Sequence, residues 1–136
     1  MKELIGKKIT GISISEDHET LAFETDKGTI VYTALGGCCS ESWFADITGV
    51  CELLRGGAVK TVETIDMDGY NIDDGRCRQE CDEAYGFKLT TSSGYTDIVF
   101  RNSSSGAYSG WLDDGAWREP PDGLPAIVDD WHAYTD

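Results

Sequence analysis

Adjacent thiols at Cys38 and Cys39 sit inside "GGCCSESWF", residues 36–44 of this 136-residue chain. Thiols can bind metal or act as nucleophiles, so their spacing decides what they could do. Zinc sites converge four ligands, usually from two CxxC-type knuckles or from CxxC with HxxxH. Neighbouring side chains on an extended backbone point in opposite directions instead. Cys77 and Cys81 stand four apart in "RCRQEC", which puts them on one face only if that segment is helical, and no second pair matches them. The two histidines, His18 and His132, fall in a turn and in the tail. A nucleophilic cysteine needs a base within reach and a depressed pKa, and neither histidine is near the motif in sequence. The spacing therefore predicts no metal and no catalytic thiol, and small buried cysteines in a tight corner are the ordinary reading.

Ligand chemistry is denser in "RNSSSGAYSGW", residues 101–111. Arg101, Asn102, Ser104, Tyr108 and Trp111 combine a cation, amide and hydroxyl groups and aromatic faces. Backbone amides of Ser/Gly turns can form anion-binding nests, although a hairpin loop would have the same composition. Arg76 and Arg78 lie close to Asp73 and Asp74. They could meet an anionic ligand, or they could be solvated and paired with those acids. Trp43-Phe44 and Trp111-Leu112 either plug the core or offer an indole as a stacking platform, worth roughly 1–3 kcal/mol per base. The candidate ligand set is thus Arg101, Asn102, Ser104, Tyr108, Trp111, Arg76, Arg78 and Trp43. No paired carboxylates, GxGxxG, P-loop or GxSxG accompany them, so the chain reads as a binder without cofactor and not as an enzyme.

The elements that must position these residues show an internal repeat. "LIGKKITGI" from Leu4 aligns with "LRGGAVKTV" from Leu54 at an offset of 50. "LAFETDKG" aligns with "FKLTTSSG" at 66, and "IVY" with "IVF" at 68, an offset that persists from Trp43-Phe44 to Trp111-Leu112. Two pseudo-repeat halves, about 4–50 and 54–118, follow within one domain. An insertion near 67–83, a small one after Gly94 and a C-terminal arm over 119–136 complete it. Each half reads as three short antiparallel strands: 8–15, 20–25 and 29–35, then 59–65, 86–91 and 96–102. The spacing of Trp43, Ile47, Cys51 and Leu54 predicts short helical pieces over 40–54, with Ser40 or Ser42 as N-cap. Residues 103–117 look like an extended ribbon with turns. "LPAIV" and Trp131 are too apolar for water, so the arm should dock on its own domain or on a partner chain. The expected fold is α+β: mainly antiparallel sheet built from two similar three-stranded halves, with one or two short helices.

Charge narrows the partners. With 25 acidic against 11 basic residues the formal net charge is −14. Such a field repels nucleic acid and anionic membranes, and no apolar run approaches a membrane span. A small anionic ligand must be held by local positive charge, whereas a basic protein would be attracted to the whole surface. The N-terminus lacks signal-peptide features, so a cytoplasmic location with reduced thiols is expected. A homodimer or larger homo-oligomer is expected as well.

"GGCCSESWF" followed by "ITG", with "IVFRNSSSGAYSGWL" later, resembles a family of small phage and prophage proteins. The most specific element is CCSxSWF, here Cys38, Cys39, Ser40, Ser42, Trp43 and Phe44, and the resemblance spans most of residues 4–112. It transfers no catalytic residues. It implies a binder acting on a host process, by analogy host defence. The binder would sequester a small nucleotide-type immune signal, or act as an acidic DNA mimic on a basic host defence or nucleic-acid-processing protein.

Overall fold

Two tight hairpins organise the chain. Thr25 faces Gly28, and Thr91 faces Gly94, across two-residue turns. Both glycines have positive φ, 126° and 145°, a backbone state that a side chain would strain. The computed structural model describes residues 1–36, 40–65, 81–104, 110–112, 116–117 and 123–133. The first hairpin joins β2 (Thr20–Thr25) to β3 (Gly28–Gly36), with β1 (Ile9–Ile14) beside β2. β5 (Thr61–Ile65), β6 (Cys81–Thr91) and β7 (Gly94–Ser104) form the second antiparallel meander.

The strand that follows each meander crosses to the other one. β4 (Ser40–Thr48) pairs with β7, and β8 (Gly110–Leu112) pairs with β3. Trp43 stands opposite Arg101, and Trp111 opposite Leu35, so the two exchanged pairings are equivalent at an offset of 66 on the third strands. The expected change to 68 immediately after Gly94 is absent from the β6–β7 register, which runs unbroken. The two extra residues lie instead between Arg101 and Trp111. β9 (Ala116–Trp117) adds to β3, and β10 (Trp131–His132) adds to β4. The result is one sheet ordered β1-β2-β3-β8, with β9 also on β3, and a second ordered β10-β4-β7-β6-β5.

One hydrophobic core contains inward residues of both sheets. Ile12, Ile14, Leu21, Phe23, Ile30 and Tyr32 come from the first sheet, and Phe44, Ile47, Leu89, Ile98 and Phe100 from the second. Burying each such side chain contributes roughly 1.5–3 kcal/mol. Leu4 from the 3-10 turn Lys2–Leu4, and Val50 and Leu53 from α1 (Val50–Arg55), belong to the same core.

The short helical pieces expected over 40–54 are corrected over their first part. Residues 40–48 form β4, and only Val50–Arg55 are helical. β4 is an interior strand, so Trp43 and Ala45 are buried on its outer face while Phe44 and Ile47 enter the core. A bulge between Phe44 and Asp46 adds a residue and breaks the two-residue alternation. That extra residue puts Phe44 and Ile47, three apart, on the same face, a spacing that mimics a helix. Ser42 caps no helix: its hydroxyl donates to the Leu35 carbonyl at 2.8 Å.

α1 begins instead at Gly49, whose φ is 80°. A Cβ there would lie 2.2 Å from the Tyr95 carbonyl oxygen. Asp130 completes the turn by accepting from the N–H groups of Gly49 at 2.8 Å and Val50 at 3.3 Å. The arm that supplies Asp130 docks on its own domain. Ile14 N–H donates to Pro125 O, Ile127 N–H donates to Ile12 O, and the Ile127 side chain is buried.

Candidate functional site

Cross-strand partners share a face of a sheet, so the registers sort the nominated residues. Trp43, Arg101 and Ala84 form one row on the outer face of the second sheet. Arg101 is 3% exposed and Trp43 is fully buried, with the guanidinium carbon 5.7 Å from the ring centroid. The cation and the indole nominated for a ligand are therefore packed on each other. Burial of this kind strengthens the electrostatic attraction between a cation and a ring.

Asn102 and Ser42 occupy the opposite, inward face. Asn102 Nδ2 donates to Ser42 Oγ at 2.9 Å and to Glu41 O at 3.4 Å. Because Ser42 in turn donates to Leu35 on β3, this chain of hydrogen bonds ties the two sheets together. Asn102 is 1% exposed, and its Oδ1 has no hydrogen-bond partner among the described residues. Ser104 ends β7 opposite Ser40 and Cys81, and Gly36 stands opposite Gly110. The three stretches singled out by their chemistry thus begin or end at one end of the two sheets. Trp111 is placed by its backbone pairing with Leu35. Tyr108, Arg76, Arg78, Cys38, Cys39 and Cys77 lie outside the described residues.

Further contacts join the arm and the turn before β2 to the sheets. His132 Nδ1 lies 2.6 Å from Asp46 Oδ1, which fastens β10 to the bulge of β4. His18, at φ 63°, meets the Trp131 ring edge-on, with ring centroids 4.9 Å apart. Both histidines therefore serve contacts between the arm and the sheets. In the turn before β2, the Ser15 hydroxyl and then the Glu19 N–H donate to Asp17 and hold its carboxyl below the ordinary value. Among the described residues no group of three or more His, Cys, Asp or Glu side chains could hold a metal ion. No helix among them is long and apolar enough to cross a membrane.

An open cavity of about 650 Å³ lies elsewhere, between the 3-10 turn and the β5–β6 edge. Met1, Lys2, Glu3, Val62, Thr64 and Phe87 line it together with Glu63. Glu3 is held from behind, since Tyr32 Oη donates to its carboxylate at 2.9 Å. Lys7 Nζ donates to the Glu3 carbonyl at 2.6 Å.

No solved structure matches this chain. The chain is similar to "Uncharacterized protein L278" of Acanthamoeba polyphaga mimivirus. The two are 32% identical over 114 residues, covering 78% of this chain and 85% of the relative. The profile of a domain of unknown function, DUF7448, matches residues 2–113, which takes in both meanders, both exchanged strands and the buried Arg101–Trp43 pair; the chain belongs to the DUF7448 family.

Proposed function

We propose that this protein is a virus-encoded, non-catalytic binder that counters host defence by presenting an acidic surface to a basic host protein. The observation that carries this reading is the burial of Arg101 against Trp43. The strongest cation candidate for an anionic small molecule is committed to the fold. Carboxylates, in contrast, are exposed around the molecule: Glu16 and Asp17 before β2, Asp26 in the first hairpin, Glu41 on β4, Glu52 on α1 and Glu63 on β5. With a net charge of −14, such a surface attracts a basic partner and competes with nucleic acid for it. Affinity capture of host proteins at low and high salt tests this. Capture of a nucleic-acid-binding protein that weakens with salt and is competed by duplex DNA supports it. Capture indifferent to both contradicts it.

A second reading, sequestration of a small nucleotide-type signal, is favoured by the unpartnered Oδ1 of Asn102 at the end where β3, β4, β6, β7 and β8 meet. A ligand at 100 times its Kd adds about 2.7 kcal/mol of stability. Thermal shift against cyclic and ADP-ribose-type nucleotides separates the two readings, because an acidic mimic gives no shift with any of them.

A further inference from the structure

β5 is the last strand of its sheet, and among the described residues nothing pairs with the outer edge of Thr61–Ile65. Just before it the chain already adds to its own edge: Gly6 N–H donates to Val59 O at 2.8 Å, and Val59 N–H donates to Lys7 O at 2.9 Å. That pairing stops at Val59, and the cavity opens beside the next turn of strand, with Val62, Thr64 and Phe87 in its wall. Outward N–H and C=O groups on such an edge are a template for another strand. Successive side chains of β5 alternate faces. Val62 and Thr64 share one face, and Glu63 stands on the other, exposed, across from Lys88 of β6 and in no ion pair among the described residues.

We propose that β5 is the docking edge for an extended, basic segment of a partner protein. The segment's backbone pairs with Thr61–Ile65, its apolar side chains enter the cavity over Val62 and Phe87, and a Lys or Arg between them stands opposite Glu63. A second copy of this chain fits less well. Two β5 strands paired about Glu63 would set carboxylate against carboxylate, and like charges directly opposite are destabilising. This inference rests on the acidic-docking reading and gives that reading a location.

The probe is a capped heptapeptide of alternating valine and lysine, titrated into the full-length chain and followed by amide NMR. Expected are shifts concentrated in Thr61–Ile65 and Met1–Glu3. Methylating the peptide nitrogens should weaken binding at least tenfold. The Glu63→Lys variant should also weaken it tenfold, and a valine–glutamate heptapeptide should restore binding to that variant. Shifts scattered away from β5, undiminished binding of the methylated peptide, or no binding at all would overturn the assignment. Salt-sensitive capture of a basic host protein that survives Glu63→Lys would leave the acidic-docking reading standing and remove only the β5 edge.

Discussion

The Arg101–Trp43 row and the β5 edge each offer a charge and an apolar surface, with opposite consequences. In the first, the guanidinium is 3% exposed and the indole is fully covered. In the second, Glu63 is exposed and Phe87 is only partly buried, beside an open cavity. A ligand at the first place would have to displace a desolvated stack worth about 2 kcal/mol before gaining anything. At the second, it meets the outer backbone groups of an edge strand and an exposed carboxylate. Side-chain chemistry becomes a binding site only where the fold has not already used it.

Substitutions should separate the two places, beginning with the largest effect. Trp43→Ala should lose about 3–5 kcal/mol of stability in urea unfolding, as expected for a buried aromatic ring. A loss under 1 kcal/mol, well below that range, would mean the outer face is not packed as described. Gly49→Ala should cost about 2 kcal/mol or more, from the positive φ and the contact with Tyr95 O. Asp130→Ala should cost about 1 kcal/mol by uncapping α1, read as a lowered urea midpoint with an unchanged slope. Glu63→Gln should change stability by no more than about 0.5 kcal/mol while weakening the lysine peptide, so its two readouts diverge.

The smallest effect is in acid. Asp17 is held below the ordinary 3.8 by Ser15 first and then by the Glu19 amide. Its contribution is therefore complete above that value and is lost as pH falls through the lowered one. Asp17→Asn should flatten this part of the acid unfolding profile, and an unaltered profile would show that the turn does not contribute.

The meanders were legible because Leu21 and Phe23 recur two apart between polar Thr20 and Glu24, and because glycines close both hairpins. β4 was not. Burial on both faces removes the polar alternation, and the bulge at Ala45 brings Ile47 onto the face of Phe44 at a helix-like spacing of three. The pairing of Trp43 with Arg101 was illegible for a different reason. It depends on β4 leaving its own meander for the other, which no local pattern encodes. The same holds for His132 on Asp46, where residues 86 positions apart in the chain are brought together by the arm. The cavity also needs tertiary structure, since the 3-10 turn and the β5–β6 edge meet only after folding.

The claim that the Arg101–Trp43 pair serves the fold is tested most directly by a double-mutant cycle. Urea unfolding of Arg101→Met, Trp43→Leu and the double variant isolates their mutual interaction from each residue's other contacts. Mutual packing predicts a coupling energy of about 1–2 kcal/mol. Strict additivity, with Arg101→Met as stable as the parent chain, would contradict it and return Arg101 to the ligand.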